Sequence, residues 1–152
     1  MFLASCTKKN KLYEATPDVM PVIKPITFHD DMIADARLLK GCKYCFGGTS
    51  PEGFDCSGFV QYVFRQNGVE LPRMVIDLAR YGRTVSVTEL RHGDLVFFKT
   101  KDKLTHVAIV TNVEGKLPSI IHSSTKYGVS ELDLDDSIYW KPKIAFFRRV
   151  YE

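Results

Sequence analysis

No run of apolar residues in this chain approaches the roughly 20 needed to cross a bilayer as a helix. Charge of one sign is also scarce: 21 basic residues stand against 18 acidic ones, for a formal net charge of +3. That excess is too small to argue for a nucleic-acid partner, and no basic run is interleaved with aromatics. No nucleic acid is therefore expected. Cysteine is sparse, with Cys6, Cys42, Cys45 and Cys56 making four in all. Four are too few for a disulfide scaffold, so each has to be asked what it does. Internal repeats and low-complexity tracts are absent as well. What remains is ordinary: 152 residues, 45% of them apolar and 26% charged. A chain of that size and composition forms one compact domain with a real core, and a monomer is expected.

The first residues read Met1-Phe2-Leu3-Ala4-Ser5-Cys6. Leu-Ala-Ser-Cys is the pattern found before the lipidated cysteine of bacterial lipoproteins, yet only five residues precede Cys6, too few for a signal peptide. Two readings stay open: a start lying upstream of a trimmed chain, or a chance match. From Thr7 to Pro25 the chain is polar and dotted with Pro17, Pro21 and Pro25, without helical period. Residues 1–25 thus read as an arm or linker, with a membrane tether through Cys6 as one use for it. The domain spans residues 26–152.

Its first element is a helix capped by Thr27 or Asp30 and running to about Lys40. Met32, Ile33, Ala36 and Leu39 fall on one face, and Gly41 is the stop. His29, at its start, reads as a surface or capping residue. A short extended piece, Cys42 to Gly48, ends in a glycine turn. A loop through Pro51 and Gly53 leads to a second helix with Phe59, Val60, Val63 and Phe64 at helical spacing, closed by Asn67-Gly68. Pro72 opens a short helix over roughly Met74 to Arg80, ending at Gly82. The pattern then changes. Asp94–Phe98, His106–Val113, Ile120–Ser123, Val129–Leu132 and Ile144–Val150 are β-branched or aromatic and separated by turn residues. Helices first and strands afterwards predict an α+β domain with a small antiparallel sheet of about five strands.

Cys56 falls in the first turn of the second helix. The free N–H groups and the positive dipole end there favour a thiolate over a thiol. A cysteine so placed is a candidate nucleophile, and a small buried hydrophobe is the plain alternative. His106 opens one predicted strand and His122 closes another. Pairing these strands as a hairpin across Val113-Glu114-Gly115-Lys116 brings both imidazoles to one face. A thiol of ordinary pKa is only a few per cent ionised at neutral pH. An imidazole that takes its proton and returns it to a leaving amine supplies what is missing, and a third polar group orients that imidazole. Cys56, His106 and His122 can fill these roles; otherwise both histidines are strand-end residues with satisfied bonds.

From about Ile26 to Val150 the sequence resembles the NlpC-type cell-wall cysteine peptidases, which are papain-like in fold. Tyr44-Cys45-Phe46-Gly47-Gly48 is similar to the family's Tyr-x-Tyr/Trp-Gly-Gly segment. Asp55-Cys56-Ser57-Gly58-Phe59 matches its nucleophile motif without departure. Leu71-Pro72-Arg73, Gly93-Asp94-Leu95-Val96-Phe97-Phe98, Thr105-His106-Val107-Ala108-Ile109 and Ile121-His122 follow in the family's order. The resemblance implies Cys56 as nucleophile, His106 as base and His122 as the orienting residue. It also implies substrate contacts from Tyr44, Asp55, Ser57 and Arg73, with Tyr44 and the Cys56 N–H beside the oxyanion. It implies hydrolysis of peptide bonds in peptidoglycan stem peptides through an acyl-enzyme. The expected setting is the cell envelope, periplasmic or anchored at the outer membrane, with no metal and no organic cofactor. The sequence departs from the family where Met74 replaces the usual Ser or Thr after Pro-Arg. Its hairpin between the histidines, carrying Leu117-Pro118, is somewhat long, and no second wall-binding domain is evident.

Cys42-x-x-Cys45 lacks the second Cys or His pair that zinc requires. A local disulfide and two free thiols both remain open for it. Two other functions stand beside the peptidase: a thiol amidase or acyltransferase of the same fold acting on a lipid or small amide, and a catalytically idle wall-binding module.

Overall fold

The computed structural model describes residues 28–152. Cys6, the arm to Pro25 and the candidate cap Thr27 lie outside the described residues. Helix α1 spans Phe28–Leu38, with Asp30 and Asp31 in its first turn and Arg37 in its last, complementing the helix dipole. Met32, Ile33 and Ala36 are its buried face. The helix ends two residues before the expected Lys40. Backbone bonds from Leu39 to Ala36 and from Lys40 to Arg37 tighten its exit, and Gly41 takes φ +91°. His29 lies in the first turn, half-buried beside Phe28 and Tyr151.

A two-stranded ribbon of β1 (Thr49–Ser50) and β2 (Gly53–Phe54) leads into α2, Cys56–Gln66. Phe59, Val60, Val63 and Phe64 form the buried stripe of α2, as their spacing predicts. The single turn α3, Val75–Leu78, is shorter than the expected Met74–Arg80 but still buries Leu78.

The remaining strands are β3 (Arg83–Val85), β4 (Leu95–Thr100), β5 (Lys103–Asn112), β6 (Ser119–Ser124), β7 (Gly128–Asp133) and β8 (Ile144–Arg149). They make one sheet in the order β3-β8-β4-β5-β6-β7, with every pairing antiparallel. The expected α+β architecture is therefore present, with a sixth strand at the edge. That strand is only three residues long, begins with exposed Arg83 and Thr84, and carries no alternation to betray it. Both faces of the central strands are covered, so β4 reads as an apolar run rather than an alternation. Leu95, Phe97, Val107, Ile109 and Ile121 pack with α1 and α2. Val96, Phe98, Ala108 and Ile120 pack on the other side with Leu134, Phe147 and the partly buried Trp140.

A buried ion pair ties β8 to the turn before β4. Arg149 donates from Nε to Asp94 Oδ1 and from Nη2 to Asp94 Oδ2, each at 2.8 Å. Asp94 also accepts from the Arg91 N–H at 2.8 Å, and Arg149 Nη2 donates to the Glu89 carbonyl at 2.7 Å. The Gly93-Asp94 motif thus anchors the strand that pairs with β5.

Candidate active site

Asp55 is the N-cap of α2, with φ −85° and ψ 178°. Its Oδ1 accepts from the Gly58 N–H at 2.7 Å, and its Oδ2 accepts from the Gly47 N–H at 3.1 Å and from Arg73 Nη2 at 2.6 Å. Arg73 Nη1 donates to Ser57 Oγ at 2.8 Å. One carboxylate thereby fixes the glycine turn, the first turn of α2 and the Pro72-Arg73 segment together. Gly58 permits the close fit: a Cβ there would stand 2.0 Å from the Gly48 carbonyl oxygen.

Cys56, the first residue of the helix, is only 9% exposed. Three backbone N–H groups face its sulfur: its own, that of Ser57, and that of Val107, the residue after His106. These favour the thiolate, as the helix position argues. Burial pushes the thiol pKa up nevertheless, with the Asp55 carboxylate pushing the same way. The expected preference for thiolate is therefore corrected. Removing a sulfur anion from water outweighs the first-turn donors here.

His106 and His122 meet as expected, though neither sits at a strand end. His106 is the fourth residue of β5, and His122 lies within β6. The β5–β6 register pairs Ile109 with Ile121, so His122 is level with Ala108 and His106 lies two residues further along that face. Such diagonal neighbours are within ring reach. His106 Nε2 and His122 Nδ1 are 2.8 Å apart, with the rings edge to face at 83°. His106 is 7% exposed and His122 1%. Burial, and secondarily the neighbouring His122, pushes the His106 pKa down to about 3. Burial alone takes His122 to about 4. Both rings are neutral at pH 7. For His106 to accept a proton at Nδ1, its own proton must sit on Nε2 and be donated to His122 Nδ1, which leaves the His122 proton on Nε2.

Helix α2 packs on the Val107–Ile109 side of the sheet, while the histidines point with Phe98 toward Trp140. The nucleophile and the imidazoles converge where the start of α2 meets β5. Cys56, His106, His122 and Tyr44 line a single groove of about 760 Å³. No hydrogen bond joins the sulfur to either ring among the described residues. Sulfur and base are adjacent through Val107, whose N–H faces the sulfur. Tyr44 is held at the groove by its bridge to Phe54. Asp55, Ser57 and Arg73 bond one another at the start of the helix and are not among the lining residues.

A residue that no sequence motif marked lies against both histidines. Trp140 stacks on His106 with centroids 4.4 Å apart at 24°, and lies edge-on to His122 at 5.1 Å. It is the only tryptophan in the chain. A lone indole in a turn-rich stretch before the last strand was the available signal. Cys42 and Cys45 are free thiols. Their segment is held extended by bonds from Cys45 N to the Phe54 carbonyl and from Phe54 N to the Lys43 carbonyl. Among the described residues, no group of three or more His, Cys, Asp or Glu is arranged to hold a metal ion.

Residues 41–149 match the model of the NlpC/P60 family. The chain is 39% identical over 112 residues to the murein DD-endopeptidase MepS/murein LD-carboxypeptidase of Escherichia coli, covering 73% of this chain and 57% of that protein. It is 34% identical over 135 residues to the gamma-D-glutamyl-L-lysine dipeptidyl-peptidase of Bacillus subtilis, covering 86% of this chain and 44% of that one. The chain thus spans about half the length of these relatives. Its fold is similar to the crystal structure of an NlpC/P60 family protein from Bacillus cereus, with a TM-score of 0.74 and 32% identity over 80% of this chain and 40% of that one. The order of the motifs, the papain-like arrangement of helices on an antiparallel sheet and these likenesses agree: the chain belongs to the NlpC/P60 family.

Proposed function

We propose that this chain is a cysteine endopeptidase that hydrolyses peptide bonds in the stem peptides of bacterial peptidoglycan. The observation that carries the reading is the His106–His122 contact of 2.8 Å opening on the same groove as Cys56. The names of the relatives, a murein endopeptidase and a gamma-D-glutamyl-L-lysine peptidase, support the substrate class.

The resting site is a neutral thiol beside neutral imidazoles. Substrate binding expels water, and His106 Nδ1 takes the thiol proton as Cys56 Sγ attacks the scissile carbonyl carbon. The tetrahedral oxyanion is met by the Cys56 N–H and the Tyr44 hydroxyl. The C–N bond breaks, His106 returns its proton to the departing amine, and a thioester remains. Water, deprotonated by His106, then attacks the thioester and releases the acid with the thiol restored. His122 accepts the His106 Nε2–H throughout and keeps the base in the productive tautomer. Tyr44 contacts the substrate directly, and Asp55, Ser57 and Arg73 shape the groove end through the first turn of α2. The protein acts as a monomer in the cell envelope, periplasmic or held at the outer membrane through Cys6.

Purified muropeptides incubated with the protein and with Cys56→Ala test this. Cleavage by the first and none by the second is expected, with mass spectrometry of the products identifying the bond. Turnover of a lipid amide and no muropeptide cleavage by either protein would replace the reading with an acyltransferase.

A further inference from the structure

The groove is electrostatically one-sided. Its lining contains two charged side chains, Lys126 and Lys143, and no carboxylate. Lys126 lies between β6 and β7, and Lys143 ends a 3-10 turn immediately before β8. Lys126 is turned onto its neighbour Tyr127, with Nζ 4.9 Å from the ring centroid and a bond to that side chain. Lys143 is different. Its Nζ lies 3.0 Å from the Tyr139 ring centroid and 5.7 Å from that of Trp140. It has no ion pair or hydrogen bond from that ammonium among the described residues, whereas nearby Lys141 reaches Asp135 at 3.8 Å. Lys143 is also placed rather than trailing in solvent. The segment before it is closed by bonds from Trp140 N to Ser137 Oγ, Lys141 N to the Ser137 carbonyl and Lys143 N to the Trp140 carbonyl. The Trp140 so fixed is the ring that stacks on His106. The ammonium is therefore tied to the catalytic base through one aromatic residue.

A cation resting on aromatic faces beside a groove lined by no carboxylate is available to an anionic group of a bound substrate. We propose that Lys143 is a specificity-determining residue that binds a free carboxylate of the substrate, carried on a residue flanking the scissile bond. This rests on the proposed peptidase function and narrows it: substrates with that carboxylate free are preferred over those in which it is an amide. The preference works in two ways. The carboxylate gains a charge-assisted bond, and an amide in its place leaves the ammonium facing a neutral group in a partly dehydrated groove.

The test uses synthetic stem peptides in which each carboxylate is amidated singly, with kcat/KM measured for the unchanged protein, Lys143→Gln and Lys143→Arg. One amidation is expected to lower kcat/KM of the unchanged protein about tenfold, the scale of a charge-assisted contact near solvent. The same amidation should cost Lys143→Gln less than about twofold, while Lys143→Arg keeps most of the discrimination. The amidation whose penalty disappears identifies the carboxylate that is bound. Equal penalties in the unchanged protein and Lys143→Gln, or no penalty at any position, overturn the assignment while leaving the peptidase reading intact. If the unchanged protein cleaves none of the peptides, the peptidase reading falls and the assignment with it; cleavage that Cys56→Ala abolishes keeps the peptidase reading, so that an absent Lys143 effect then counts against the assignment alone.

Discussion

Acidification from pH 6.5 to 5 should destabilise the fold through His106 and His122. In the unfolded chain both imidazoles have the ordinary pKa of about 6.5. In the folded protein they are pushed down to about 3 and about 4. Well above pH 6.5 both states hold neutral rings and the pair contributes no pH dependence. As pH falls through 6.5 the unfolded chain binds protons that the folded one refuses, so stability drops until pH reaches the folded pKa values. Integrated from pH 6.5 to 5, the loss is about 1.6 kcal/mol for each ring and about 3 kcal/mol for both. That is a large part of the 5–15 kcal/mol typical of a domain. Glu131, with its pKa lowered in the fold, loses its contribution below this window, since its unfolded value is 4.5. His29, also lowered by burial, responds in the same pH range in any variant that retains it. The assay is urea unfolding at pH 6.5 and 5 for the unchanged protein and for His106→Asn/His122→Asn, which cancels His29 in the difference. The unchanged protein should lose about 3 kcal/mol more than the double variant. Parallel losses in the two would mean that the rings take up protons in the fold, and the dry, neutral site would be refuted.

Three further outcomes follow from single contacts. Asp94→Asn leaves the buried Arg149 guanidinium without its counter-charge, and urea unfolding should register a loss of about 3–5 kcal/mol. Gly58→Ala forces a Cβ to within 2.0 Å of the Gly48 oxygen. The first turn of α2 must then move, and kcat/KM on stem peptides should fall about a hundredfold, the scale set by a displacement near 1 Å; activity within twofold of the unchanged protein would show that Cys56 does not depend on this fit. Trp140→Ala uncovers His106, so its pKa should climb toward the ordinary imidazole value, and the acid limb of the kcat/KM profile should move to higher pH.

The helix carrying Cys56 was legible because its signals are local. Phe59, Val60, Val63 and Phe64 repeat at helical spacing, and Asn67-Gly68 ends it. The meeting of His106 and His122 was legible because a hairpin register follows from two apolar strands, although a bulge between Val110 and Asn112 shifts its turn end. Three features were not. Strand β3 owes its existence to β8, which offers it an edge, and its own residues carry no pattern. Trp140 reaches the histidines only through the folding of the loop before β8. The direction of the Cys56 shift depends on how much water the folded core excludes, and a dipole argument made on the helix alone omits that cost. Asp55, Ser57 and Arg73 show the same limit, since the sequence marks them as important while only the fold reveals their bonds to one another.

The dependence of Cys56 on His106 is tested most directly by kcat/KM on a stem peptide for Cys56→Ala, His106→Ala and the double variant. Residues that act as one unit are expected to fall together: each single variant should drop to the same background, and the double should fall no further. A His106→Ala protein that keeps more than about a tenth of the starting kcat/KM would contradict the account, because an imidazole on which the thiol depends cannot be removed at so small a cost.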